Sequence, residues 1–169
     1  MIRALRVSSP KTLILGGGEG SLVYTIARER PHTPMDVVEI NSQISAVALK
    51  YFLNTVDMKH IHWRIEDAFA FVQNKARASA KYDLIIVDVF DGPYIPEKMY
   101  QKSFASSLRT LLATHGVYVI NFGSDATRFH HIRPVYAKTL KNFTLYRYGA
   151  GIVGTNGKFD PFGSRATPV

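Results

Sequence analysis

Apolar residues in this chain fall into two alternating rhythms, short continuous or every-other runs followed by stretches spaced three and four apart. Residues 13–15 read as a buried strand that breaks into Gly16, Gly17, Gly18, Glu19 and Gly20, and the spacing over 22–30 predicts a helix stopped by Pro31 and Pro34. The β-branched run 36–40 predicts a second strand. Residues 42–53 predict a helix whose Ile44, Val47, Ala48 and Leu49 cover the sheet. Ile61, Trp63 and Ile65 alternate with His60, His62 and Arg64, the pattern of a third strand, and 68–78 returns to helix. The strongest central-strand signal is 82–89, continuously apolar over 84–87 as in a strand covered on both faces. A loop with Gly92, Pro93 and Pro96 follows, then a helix over 99–112 closed by His115 and Gly116. A strand over 117–122, a helix over 126–140 and terminal strands over 144–148 and 152–153 complete the pattern. Residues 1–9 read as the last turn of a helix stopped by Pro10. Strands alternating with helices in this way predict an α/β, doubly wound sheet in a single domain. The expected boundaries are a lead-in over 1–10, the domain over 11–157 and a flexible tail over 158–169.

In such sheets ligands sit outside the carboxyl ends of the strands, and there the chain places acids. The second strand ends in Glu39, the third in Glu66 and Asp67, the fourth in Asp88 and then Asp91, and the fifth in Asn121. The glycine turn opens a helix, whose unpaired N–H groups favour carboxylate, phosphate or hydroxyl groups on a ligand. Glu39 lies about 20 residues past the glycines, where an acid can accept both hydroxyls of a ribose. Asp67, followed by Ala68, can accept an adenine amino group, cap the next helix, or do both. Gly16, Gly18 and Gly20 are spaced by two and depart from the dinucleotide fingerprint, which disfavours NAD. Asp88 directly follows an apolar run and needs either a partner or an open cleft.

Composition narrows the chemistry. The absence of cysteine excludes disulfides, thiolate catalysis and Cys-based zinc sites. His130 and His131 are adjacent on a predicted helix and point to different faces, and His60 and His62 share one side of a strand with no acid to join them, so no metal is expected. No apolar run reaches the length of a membrane span, so a soluble protein with no membrane partner is expected, cytoplasmic or, from Arg3 and Arg6 without an acid before Ser9, mitochondrial. The net charge of +8 suggests an anionic partner, although its spread along helix faces equally describes solvated surfaces.

The runs 13–21, 38–40, 66–68 and 82–92, with Ile95, Pro96, Ser103 and Phe104 following, resemble the spermidine synthase-like family of aminopropyltransferases, which share the class I S-adenosylmethionine-dependent methyltransferase fold. The resemblance implies a Rossmann-like, mostly parallel sheet of seven strands or slightly fewer. It also implies S-adenosylmethionine or its decarboxylated form as co-substrate, held by Gly16, Gly17, Gly18, Glu19, Gly20, Glu39, Asp67 and Ala68. The family's acidic pair that holds the acceptor amine falls on Asp88 and Asp91, which are therefore the expected catalytic residues. The implied reaction is attack by an amine on the carbon next to a sulfonium, transferring an aminopropyl or methyl group, with a carboxylate accepting the proton. Family members that make spermidine carry a β-stranded N-terminal domain, whereas this chain begins almost at its first strand. The alternative is a catalytically inactive subunit of a larger, ribonucleoprotein-like assembly, motivated by that difference and by a positive charge that repels polyamines. The partner classes left open are a small-molecule amine or protein amine acceptor, a second copy in a homodimer, and RNA or a multi-subunit assembly.

Overall fold

A computed structural model describes residues 9–123, 126–140, 142–148, 151–155 and 167–168. The expected N-terminal helix turn lies outside these residues, as does most of the expected tail. Strands β1 (Thr12–Leu15), β2 (Met35–Glu39), β3 (Ile61–Ile65), β4 (Tyr82–Val87) and β5 (Leu112–Asn121) are parallel. Strand β6 (Thr144–Tyr148) reaches β5 through the antiparallel β7 (Gly151–Thr155), and β8 (Thr167–Pro168) adds two residues to the outer edge. The order is β3-β2-β1-β4-β5-β7-β6-β8, so β1 and β4 are central and the direction of winding reverses between them. That reversal opens a crevice at their carboxyl ends.

Helices α1 (Ser21–Glu29), α2 (Ser42–Val47), α3 (Ala68–Arg77), α4 (Lys102–Leu111) and α5 (Ala126–Thr139) cover the two faces. Because successive strand residues face opposite ways, β1 sends Leu13 and Leu15 into one core and Ile14 into the other. The first core gathers Phe71 and Val72 of α3, Phe104 and Leu108 of α4, and Tyr136 of α5. The second is smaller and built on Val23 and Ile26 of α1 with Leu53.

Several elements differ from the pattern reading. The expected helix over 42–53 is α-helical only to Val47 and continues as a π-helix over Ala48–Phe52, in which Leu53 N–H donates to Ala48 O at 2.9 Å. The wider turn shifts the helical phase. Ala48 and Leu53 then point inward, while Ile44, Val47 and Leu49, expected to cover the sheet, are each more than two-fifths exposed. Helix α4 ends at Leu111 rather than 112, and β5 begins at once at Leu112 instead of 117. The residues between form an irregularity, since Tyr82 pairs with Leu112 but Leu84 with Val117. Strand β7 is longer than expected, since its residues pair with β6 along its whole length and with β5 over Val153–Thr155, and its inner glycine is demanded by packing. A Cβ on Gly154 would lie 2.6 Å from the Phe143 ring. Finally, Thr167 and Pro168 rejoin the sheet beside β6, so this part of the expected tail is paired.

Candidate functional site

The chain leaves β1 through a turn that only glycine can make. Gly16 has φ +89°, and a Cβ there would sit 2.0 Å from the Asp88 carbonyl oxygen at the tip of β4. The N–H groups of Gly16 and Gly17 both donate to Val38 O, at 2.9 and 3.2 Å, and Asp88 N–H donates to Leu15 O at 2.8 Å. These bonds tie the tips of β1, β2 and β4 together. Gly18, at φ +51°, meets nothing within 4 Å on the side where a Cβ would be and faces open space. Gly20 precedes α1 without any side-chain cap.

Around this turn stand three carboxylates. Glu39 is nine-tenths buried, and its Oε2 and Oε1 accept the N–H groups of Gly18 and Asn41, both at 2.9 Å. With one backbone bond on each oxygen the carboxylate is held rigidly, and each oxygen keeps a lone pair for a ligand hydroxyl. Glu19 accepts the Ser21 hydroxyl at 2.7 Å, and this bond, with a backbone one, holds its carboxyl below the usual range. Asp88 opens to solvent through the hollow yet is crowded by the strand tips, and this desolvation pushes its carboxyl up. A hydrogen bond from Asn121 Nδ2 at 2.9 Å works in the opposite direction, and the Glu19 charge adds to the rise. Glu19, Glu39 and Asp88 line one hollow of about 230 Å³ together with Gly16, Gly17 and Gly18, and among the described residues no Lys, Arg or His lines it.

A second hollow of about 580 Å³ adjoins the first, sharing Gly16, Val89 and Phe90. Among the described residues its acids are Glu66, Asp67, Asp91 and Glu97, and its one basic residue is Lys98. Asp67 caps α3 by accepting Ala70 N–H at 2.9 Å and meets Lys98 Nζ at 3.3 Å. Burial raises its carboxyl, but those two donors prevail and hold it below the ordinary range. Asp91 opens the tight turn after β4, where its backbone exchanges hydrogen bonds with Tyr94 at 2.7 and 3.1 Å. Ala68 lines the same hollow.

The structure therefore brings every residue of the expected site to two joined hollows, except Gly20, whose role is to start α1. Pattern reading noted Asn121 at a strand tip without giving it a task, and it missed Lys98 and Asn41, whose contacts are made across the fold. His60 does not lie beside His62 on β3 as expected. It sits in a 3-10 turn, edge-on to His32 at 5.4 Å. Among the described residues no group of three or more His, Asp or Glu is arranged to hold a metal, and no helix among them is long and apolar enough to cross a membrane.

Residues 4–150 match the family model described as the spermine/spermidine synthase domain. A polyamine aminopropyltransferase from Vibrio vulnificus is 31% identical over 138 residues, which is 81% of this chain and 46% of that protein. The chain thus spans about half the length of that curated relative. Among solved structures, human methyltransferase-like protein 13 in complex with SAH superposes with a TM-score of 0.76 at 21% identity, over 86% of this chain and 70% of the other. A spermidine synthase in complex with the transition state analogue AdoDATO gives a TM-score of 0.68 at 18% identity, over 91% and 57%. At these identities the two structures establish the shared fold. None of these names describes an inactive subunit, so the comparisons do not favour the assembly reading.

Proposed function

We propose, from the premise that this chain belongs to the spermine/spermidine synthase family, that it transfers an aminopropyl group from decarboxylated S-adenosylmethionine to a small cationic amine. The observation that carries this reading is the distribution of charge. Among the described residues, seven carboxylates line the two joined hollows against a single basic side chain, Lys98, in a molecule whose net charge is +8. Acids concentrated on one crevice of a basic protein select cationic ligands.

The glycine-turn hollow supports the decarboxylated co-substrate in particular. A ligand tail bearing only an amine is attracted by Glu19 and Asp88, whereas a tail that keeps its carboxylate meets those acids with no cationic side chain among the described residues lining the hollow to offset the repulsion. In this reading Glu39 accepts ribose hydroxyls, Asp67 takes the adenine amino group beside Ala68, and Gly16, Gly17 and Gly18 let the ligand approach the backbone. When bound, the co-substrate supplies a carbon made electrophilic by its sulfonium. Asp88 and Asp91 hold the acceptor amine, and Asp88 takes the proton released as the new C–N bond forms and the C–S bond breaks. The upward displacement of the Asp88 carboxyl suits it to accept that proton.

Titration calorimetry with both nucleosides tests the reading. The decarboxylated form is expected to bind at least ~10-fold more tightly, a difference of about 1.4 kcal/mol. Preference for S-adenosylmethionine would replace aminopropyl by methyl transfer, and no binding of either would end the enzymatic reading. Asp88→Asn should abolish turnover while leaving nucleoside affinity within a few fold.

A further inference from the structure

We propose that Asn121 is a positioning residue, an amide locked in one orientation so that its NH2 group aims the Asp88 carboxylate into the hollow. The orientation follows from donor and acceptor chemistry. Gly123 N–H can only donate, and it lies 2.8 Å from one end of the Asn121 amide, which must therefore be the carbonyl Oδ1. The other end is then the NH2 group, and it stands 2.9 Å from Asp88 Oδ1. Gly123 makes this bond from a left-handed conformation at φ +61°, and a Cβ there would press to 3.1 Å from the Phe90 ring that walls the hollow. A backbone turn after β5 thus sets a side chain on β5, which sets a carboxylate at the tip of β4.

Electrostatics gives the arrangement a purpose. Glu19 from the glycine turn and Glu39 from the tip of β2 line the hollow with Asp88, Asp91 stands in the adjoining one on the same loop, and among the described residues Lys98 is the one basic side chain across both. Charge repulsion and desolvation both favour protonating Asp88, and among the described residues the Asn121 amide is the group that opposes them. Without that donor Asp88 would keep its proton to higher pH, and a protonated Asp88 can neither attract a cationic amine nor take its proton.

This inference rests on the reading of Asp88 as the proton acceptor, so its test includes a property of the ligand-free protein. Asn121→Asp keeps the shape and the acceptor for Gly123 N–H but replaces the donor toward Asp88 with a like charge. Carbon NMR titration of the Asp88 carboxyl, assigned by its loss in Asp88→Asn, should show a midpoint about one pH unit higher or more in Asn121→Asp. Asn121→Leu should move it in the same direction. The acidic limb of the pH–rate profile should move to higher pH with it, so that turnover lost on the acid side recovers as pH rises. An unmoved Asp88 midpoint in both variants would overturn the positioning role. A moved midpoint with an unchanged pH–rate profile would instead overturn Asp88 as the proton acceptor and leave the positioning role standing.

Discussion

At the residue scale, the crevice holds side chains in states that folding by itself disfavours. Asp88 is the clearest instance: it opens to solvent through the hollow, yet desolvation by the surrounding strand tips and the Glu19 charge raise its carboxyl above the value of an unfolded aspartate, near 3.9. Between that value and its folded one, the native state binds more protons than the unfolded state. Stability therefore declines as pH rises through this window and stays lower above it. Asp88→Asn cannot ionise and is expected to raise the midpoint of thermal unfolding at pH 7, with the gain fading below pH 4. A variant less stable than the parent at neutral pH would contradict this account. Glu39 is the opposite kind of residue. Its two backbone donors make it part of the frame that fixes Gly18, so it serves structure and site at once.

At the scale of elements, the site depends on the tips of parallel strands staying in register, and a polar tie at the far end of the sheet helps to keep them so. Tyr82 on β4 donates across β1 to Asp36 on β2 at 2.7 Å, and Asp36 also meets Arg64 on β3 at 3.5 Å. The Tyr82 side chain is fully buried, and its hydroxyl is pushed well above its usual range by burial and by the bond to Asp36. Tyr82→Phe removes the donor while Asp36 stays buried, leaving that carboxylate with Arg64 alone. The expected cost is about 1–3 kcal/mol in denaturant unfolding, and a loss below about 0.5 kcal/mol would show that Arg64 suffices.

At the scale of the whole molecule, a basic body presents an acidic crevice. Long-range repulsion from a net +8 and short-range attraction by seven carboxylates act on the same cation in opposite directions. Salt at about 0.1 M screens beyond roughly 10 Å, so the local carboxylates should dominate under ordinary conditions. For a doubly charged amine, kcat/KM is expected to fall steadily as ionic strength rises from about 0.1 to 0.5 M, and more steeply than for a singly charged one. A rise over the same range would mean that repulsion by the body controls access.

Sequence by itself determined the alternation of strands and helices, the glycine turn after β1 and the acids at successive strand tips. Each of these is a local pattern, in which period, turn chemistry and strand-end position are read within a dozen residues. Tertiary structure alone decided which tips meet. It placed Glu39 and Asp88 in one hollow, pointed the Asn121 amide at Asp88, set Lys98 on Asp67, and left Ile44 and Val47 of α2 exposed while Ala48 and Leu53 turned inward. Those outcomes depend on which strands pair and on what packs beneath them. A bond between residues 33 positions apart leaves no mark on the periodicity of either segment.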